Sequence, residues 1–290
     1  MARKLIGLIG KNIGKSLAPA LHEDAFRAAG MTGHYHLMDA DNLPGRSPAD
    51  LLAAVRTTGF AGINVTFPFK EAVVPLLDDI SPEAAQIGAV NTIVFDAAGR
   101  AHGHNTDSIG FRRAFEETLG ARAARGQTIL LLGAGGAGRA AAVALLGLGA
   151  SRLRIFDSDT PRALRLVADL AKHFGPGHCE ALPSAGPAAA SVAGIVNATP
   201  VGMSGFPGMP LSPHLIEPRH FVADVIYSPI DTDFVLTAKA KGCRTMNGGG
   251  MCVHQAVEAF RLFTGRMPDV DRMRRTFEAA LTERDAATQA

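Results

Sequence analysis

The stretch TILLLGAGGAGRAAAVALL, Thr128–Leu146, runs a short apolar block straight into Gly133-x-Gly135-x-x-Gly138 and then into a helical pattern of small residues. The apolar block reads as a buried parallel strand, and a glycine fingerprint between strand and helix is an arrangement that holds a dinucleotide. The glycines allow a tight turn, close approach of a pyrophosphate to backbone N–H groups, and close packing of helix on strand. The helix N-terminus then faces the anion. Gly133, Ala134, Gly135, Gly136 and Ala137 are therefore expected to line the cofactor.

The next strand, Leu153–Phe156, ends at Asp157, 24 residues after Gly133. An acid there accepts both hydroxyls of an adenosine ribose and repels a 2′-phosphate, so NAD is expected over NADP. Arg162 and Arg165 follow, and a guanidinium near the 2′ position is what would still tolerate NADP. The competing reading is a glycine-rich turn in which Asp157 caps a helix over Ser158–Leu170.

Around this unit the same alternation repeats. β-like runs at Leu153–Phe156, Ile195–Asn197 and Phe221–Val225 follow the first strand, with helical patterns between them. Upstream, runs at Lys4–Ile9, Tyr35–Met38, Ile63–Thr66 and Thr92–Phe95 alternate with helical stretches at Pro19–Ala29, Pro48–Thr57 and Pro82–Ile87. Two α/β units in tandem follow, each with a mostly parallel sheet. A helix over Ile109–Leu119 and a connection over Gly120–Gly126 place the boundary between them. Val270, Met273, Phe277 and Leu281 mark one face of a final helix after Pro268, and Asp285–Ala290 is expected to fray.

Composition narrows the class. At 290 residues the chain is long enough for two domains. Lys plus Arg total 29 against 27 Asp plus Glu, a formal charge of +2 with no long run of one sign, which argues against nucleic acid. Aromatics at 6% with no Trp leave no base-stacking surface, while 47% hydrophobic against 19% charged excludes disorder. Cys179, Cys243 and Cys252 lack C-x-x-C spacing, so they read as reduced core thiols and no metal is expected. The start Met1-Ala-Arg-Lys4 is charged like a signal peptide, but Leu5–Ile9 is too short for its apolar region. Ala140–Ala150 falls short of the roughly 20 residues of a membrane span. A cytoplasmic protein with no membrane partner is expected, as monomer or homodimer.

Three polar patches interrupt the apolar elements of the first unit: Asn64-Val-Thr66-Phe-Pro-Phe-Lys70, Gly88-Ala-Val-Asn91-Thr92 and His104-Asn105-Thr106-Asp107. Each sits where a parallel strand should end, which is where open α/β sheets bind ligands. A polyhydroxylated small molecule suits them. His22, His102, His104 and His254 read as solvated or capping side chains, Asn64 and Asn91 have strand-end caps as a competing reading, and Lys70 has a solvated place on a helix after Pro68.

With these patches, Asn197-Ala-Thr-Pro-Val-Gly-Met203 and Gln255 in Met251-Cys-Val-His-Gln, the sequence resembles the shikimate/quinate dehydrogenase family over nearly its whole length. The resemblance implies an N-terminal α/β substrate domain and a Rossmann-type NAD(P)-binding domain with a cleft between them. It places the first at 1–108 plus about 265–290 and the second at 109–264, with the last helix returning to the first. It implies interconversion of shikimate and 3-dehydroshikimate, or quinate and 3-dehydroquinate, in aromatic amino acid biosynthesis or quinate metabolism. Lys70 and Asp107 would then be catalytic. Ser16, Thr66, Asn91, Asp107, Tyr227 and Gln255 would hold a cyclic polyhydroxy carboxylate. Thr199, Val225, Gly248 and Met251 would lie along the nicotinamide and its ribose, with Asp157 and Arg162 at the adenosine end.

The chemistry of the pair is sensible, because hydride transfer to a ketone leaves an alkoxide that needs a proton and a nearby positive charge. The family pattern Ser-x-Ser/Thr-Pro, which clamps the substrate carboxylate, here reads Ser16-Leu17-Ala18-Pro19. The missing hydroxyl points to an alternative, a modified relative of shikimate or quinate. A non-catalytic nucleotide sensor is the other alternative, and retention of Lys70 and Asp107 argues against it.

Overall fold

A computed structural model describes residues 3–289. Met1, Ala2 and Ala290, which belong to the charged start and to the tail expected to fray, lie outside them. The chain divides into two compact units. The first runs to Thr106 and resumes at Val253, and the second spans Asp107–Cys252.

The first stretch contains β1 (Lys4–Gly10), α1 (Ala18–Ala28), β2 (Gly33–Asp39), α2 (Pro48–Thr57), β3 (Gly62–Val65), β4 (Asp79–Ile80), α3 (Pro82–Ile87), β5 (Thr92–Phe95) and β6 (Ala101–His104). Helix starts follow local chemistry. Ser47 and Asp50 close a capping box ahead of α2, and Ser81 caps α3 with Pro82 in its first turn. α3 stops at Gly88, which takes the left-handed φ of 71°. The six strands lie in the order β2-β1-β3-β5-β6-β4.

Strand β5 is antiparallel to both β3 and β6, so β6 runs in the direction of β3. This corrects the expectation that every polar patch ends a parallel strand. Asn91 and Thr92 stand at the start of an antiparallel strand, and the register pairs Asn64 with Thr92 and Thr92 with His104. All three patches still reach one sheet edge, because reversing the strand brings its beginning where a parallel strand would bring its end.

The second stretch contains α4 (Thr106–Thr118), β7 (Thr128–Leu132), α5 (Gly136–Gly147), β8 (Arg152–Phe156), α6 (Thr160–Phe174), β9 (Cys179–Ala181), α7 (Gly186–Ala189), β10 (Gly194–Asn197), β11 (Phe221–Asp224), α8 (Asp233–Ala240) and β12 (Arg244–Met246). Its sheet, β12-β11-β10-β7-β8-β9, is wholly parallel. The strand order reverses between β7 and β10, the switch point at which such sheets take their ligand. The central strands are buried on both faces, as their continuous apolar runs require.

Helices α9 (Gly248–Thr264) and α10 (Val270–Gln289) complete the chain. The units change over inside helices, at Thr106/Asp107 in the first turn of α4 and at Cys252/Val253 within α9. The first changeover was expected just after 108 and the second near 265. Periodicity cannot see a domain change in a continuous helix. Met273, Phe277 and Leu281 of α10 are buried as their spacing predicts, and α10 packs on α1. Residues 285–289, expected to fray, are helical. Among the described residues no helix is long and apolar enough to cross a membrane. Cys243 is buried and gives its S–H to the Glu217 carbonyl at 3.1 Å, whereas Cys179 and Cys252 are only partly buried.

Candidate active site

In the first unit the site is built on a row of buried amides and hydroxyls. Asn64, inside β3, accepts from the Tyr35 hydroxyl at 2.8 Å. Its Nδ2 donates to the Asn91 carbonyl at 3.2 Å and to Thr92 Oγ1 at 2.9 Å. Asn91 Oδ1 accepts from the Thr106 N–H at 2.8 Å and from Thr92 Oγ1 at 3.0 Å, while Asn91 Nδ2 donates to Thr106 Oγ1 at 3.0 Å. Thr106 Oγ1 in turn reaches Gln255 Oε1 at 3.4 Å. Asn64, Asn91, Thr92 and Thr106 are all sealed from solvent, which makes this satisfied network costly to disturb. Asn64 and Asn91 are therefore more than strand-end caps, since each ties several segments together. Asp107 follows Thr106 in the chain and is itself buried, in the first turn of α4, where a helix N-terminus favours negative charge.

Thr66 leaves the end of β3 with its N–H on the Ile9 carbonyl, and its methyl occupies the space a side chain at Gly10 would need. The loop after β1 is pinned from beneath. Asp39 accepts from the N–H groups of Asn12 and Ile13 at 3.1 and 3.0 Å, which sets the approach to Ser16. Ser16 Oγ accepts from the Ala18 N–H at 3.3 Å. Lys70 lies in a turn between β3 and the short 3₁₀ segment at Val74–Leu76, not on a helix after Pro68. Its carbonyl accepts from Val90, which ties that turn to the Asn91 segment.

The second unit holds the glycine loop. Gly133 has φ +97°, and a side chain there would meet the Ala198 carbonyl at 2.7 Å. A side chain at Gly138 would lie 2.1 Å from the Gly133 carbonyl, so α5 packs directly on the turn. Gly135 differs, since a side chain added there meets nothing within 4 Å. Open space over the α5 N-terminus is the cradle a pyrophosphate requires, and these residues fit a dinucleotide.

Asp157, at the end of β8, is buried and uses both oxygens on the backbone. It accepts from the Ala134 N–H at 2.7 Å and the Asp159 N–H at 2.8 Å. It does not cap α6. Asp159 does, accepting from the Arg162 N–H at 3.2 Å. The Arg162 guanidinium is exposed, 3.8 Å from Asp159.

Beside the loop, Asn197 and Asp224 end β10 and β11. Asn197 Oδ1 accepts from Thr199 N and Oγ1 at 3.0 and 2.7 Å, and Asn197 Nδ2 donates to Asp224 at 3.1 Å. Asp224 also accepts from Thr232 Oγ1 and the Ile226 N–H, yet burial outweighs these bonds and raises its pKa to about 6. Val225 is set by the Asn197 carbonyl, and a side chain at Gly248 would strike the Val225 and Ile226 carbonyls. Met251 is buried and Tyr227 half-buried.

Three expectations need correction or addition. His22 and His254 are core residues, neither solvated nor capping. His22 stacks on Tyr35 with ring centroids 4.8 Å apart, and burial drops its pKa to about 3. His102 contacts Asp96 and Asp79, whereas half-buried His104 has its pKa lowered by burial and then by His102. Tyr35, Thr106, Asn197 and Asp224 were not singled out for a role. The only local signal was a polar residue closing an otherwise buried strand, as Asn197 and Asp224 do.

The known proteins this chain is similar to agree with the geometry. The family model described as the shikimate dehydrogenase substrate binding domain matches residues 8–93. That of the shikimate 5'-dehydrogenase C-terminal domain matches residues 248–276. A quinate/shikimate dehydrogenase (NAD(+)) of Corynebacterium efficiens is 46% identical over 277 residues, 94% of this chain and 97% of its own length. The chain belongs to the shikimate/quinate dehydrogenase family. A second family member, a shikimate dehydrogenase (NADP(+)) of Streptomyces avermitilis, is 48% identical over 274 residues, 93% of each chain. Among solved family structures, quinate dehydrogenase from Corynebacterium glutamicum in complex with NAD superposes with a TM-score of 0.89 at 42% identity, covering 96% of this chain and all of the other. As a member of this dehydrogenase family the chain is an oxidoreductase, with a substrate unit and a Rossmann unit.

Proposed function

We infer that this chain is an NAD-dependent dehydrogenase interconverting shikimate with 3-dehydroshikimate and quinate with 3-dehydroquinate. The observation that carries the reading is the polar edge of the first unit, where Asn91 and Gln255 are held by the buried amide network and Thr66 by the Ile9 carbonyl, beside the turn of Lys70. Such an edge suits the oxygens of a polyhydroxylated carboxylate. A bound nicotinamide supplies the hydride acceptor or donor. Lys70 gives or takes the proton at the reacting hydroxyl oxygen and stabilises the charge developing there. Asp107 orients the Lys70 ammonium and the same hydroxyl, on a backbone fixed by the Asn91 amide one residue earlier. Ser16 donates to the substrate carboxylate and Tyr227 lies close by, while Thr199, Val225, Gly248 and Met251 flank the nicotinamide.

Relatives of both cofactor classes align equally well, so the nucleotide preference rests on this chain's own residues. Asp157 and Asp159 bring two carboxylates to the adenosine end, and Arg162, the cation that would meet a 2′-phosphate, sits beside Asp159. That balance favours NAD. A spectrophotometric assay of shikimate and quinate against NAD and NADP tests the whole reading. Turnover above that of a Lys70→Ala control, faster with NAD, is expected, and no turnover with any pair sinks the assignment.

A second reading is favoured by Ala18, which offers only its N–H to Ser16 where the family pattern has a hydroxyl. One hydrogen bond to a charged group is worth roughly 1.5–3 kcal/mol, about ten- to a hundredfold in affinity. If the substrate is shikimate itself, Ala18→Ser lowers its KM. An unchanged KM instead favours a relative altered at the carboxylate end.

A further inference from the structure

We propose that Tyr35 is a positioning residue for substrate binding: its buried hydroxyl sets the orientation of the Asn64 amide and, through it, of the Asn91 and Gln255 side chains. The proposal deepens the shikimate/quinate reading above and rests on it.

Tyr35 lies in β2, far from any of the polar patches in sequence, and is 2% exposed. Its ring is stacked on that of His22, which burial keeps neutral. The hydroxyl donates to Asn64 Oδ1. An amide has one accepting and one donating end, so this single bond turns Asn64 Nδ2 toward the Asn91 carbonyl and Thr92 Oγ1.

Proton counting carries the direction onward. Thr92 has one hydroxyl proton, and because it accepts from Asn64 it spends that proton on Asn91 Oδ1. Asn91 Oδ1 also takes the Thr106 N–H, which leaves Asn91 Nδ2 to donate to Thr106 Oγ1. The Thr106 hydroxyl reaches both Asn91 Oδ1 at 3.3 Å and Gln255 Oε1 at 3.4 Å, and because Asn91 Oδ1 already takes two donors its proton goes to Gln255. The side-chain donors from Tyr35 through Asn64, Thr92, Asn91 and Thr106 run one way, and the Thr106 backbone N–H meets them at Asn91 Oδ1. The far end consequently presents the amide N–H groups of the partly buried Gln255 to whatever binds. Donors are what the hydroxyl and carboxylate oxygens of a polyol acid require. Without the Tyr35 proton, Asn64 Oδ1 is a buried acceptor with no partner, and turning the amide over relieves it at the expense of its bonds to the Asn91 carbonyl and to Thr92, which loosens the support of Asn91.

The test is Tyr35→Phe in the full chain, which removes one oxygen and keeps the ring. Shikimate and quinate binding are measured by titration calorimetry, with KM and kcat from the assay above. The expected result is a rise of fivefold or more in Kd and KM for shikimate or quinate, with KM for NAD within twofold of wild type. In an Asn91→Ala background the same substitution changes KM less than twofold. Phe26→Leu, a substitution in the same core against Phe260, supplies the stability control and leaves KM unmoved at a comparable loss of Tm. The proposal is overturned if Tyr35→Phe binds both acids like wild type, if Phe26→Leu reproduces its effect, or if the two site substitutions are additive. Wild-type protein that neither binds nor turns over either acid overturns the functional reading instead, and the proposal with it.

Discussion

Asp224 and Asn197 stand side by side at the ends of neighbouring parallel strands, both sealed from solvent and joined by a 3.1 Å bond from amide to carboxylate. The bond serves Thr199, since the amide that faces Asp224 with its nitrogen faces Thr199 with its oxygen. Burial raises the Asp224 pKa from 3.8 to about 6. An acid with a raised folded pKa binds more protons folded than unfolded between those values, so its stability contribution is greatest below pH 3.8 and is lost as pH rises through 6. About two pK units correspond to roughly 3 kcal/mol. Asp224→Asn should therefore gain in Tm relative to wild type as pH rises from 4 to 7. A Tm difference between the two that stays constant over that range would contradict the assignment.

The two glycines that frame the dinucleotide loop should respond in opposite ways. Gly138→Ala drives a methyl into the Gly133 carbonyl and is expected to lower Tm strongly. Gly135→Ala has an ordinary φ of −75° and open space, so its Tm should match wild type. The methyl fills the cradle, however, and NAD affinity measured by calorimetry should fall at least tenfold.

Asp157 divides its oxygens between Ala134 and Asp159, and an amide side chain can accept with only one. Asp157→Asn should raise KM for NAD by ten- to a hundredfold, the worth of a lost hydrogen bond to a charged group. KM for the acid substrate should stay within twofold. The preference for NAD over NADP, read as a ratio of kcat/KM, should shrink as the repelling charge disappears.

Asp24 clasps α10 to α1, accepting from Arg272 Nε at 2.7 Å and Thr276 Oγ1 at 3.0 Å. The Arg272 hydrogen bond, more than any other cause, holds its pKa near 2. A depressed acid stabilises the fold above its unfolded pKa of 3.8 and loses that contribution as pH falls toward 2. Asp24→Asn should lower Tm by a few degrees at pH 7, with the gap closing below about pH 3 in thermal scans. The effect should weaken in high salt, because Arg272 is half exposed.

Much of this architecture is legible residue by residue. β7 and helices α2 and α3 fall where apolar runs, Ser caps and prolines place them, because those signals act over a few positions. Strands β4, β6, β9 and β12 escaped notice, being two to four residues long and partly polar, too short for a period to register. The competing reading of Lys70, a solvated place on a helix after Pro68, fails because that segment is a turn, tied by the Lys70 carbonyl to the Val90 N–H.

The candidate site splits along the same line. Glycine spacing, the acid after β8 and the three polar patches follow from the sequence itself, since backbone sterics and side-chain chemistry travel with each residue. Tertiary structure alone decided what those side chains do to one another. Tyr35 meets Asn64 across 29 residues and Thr106 meets Gln255 across 149, through the register of separate strands and the return of α9. An amide's orientation depends on which neighbour donates to it, and only the fold brings that neighbour within a hydrogen bond's reach.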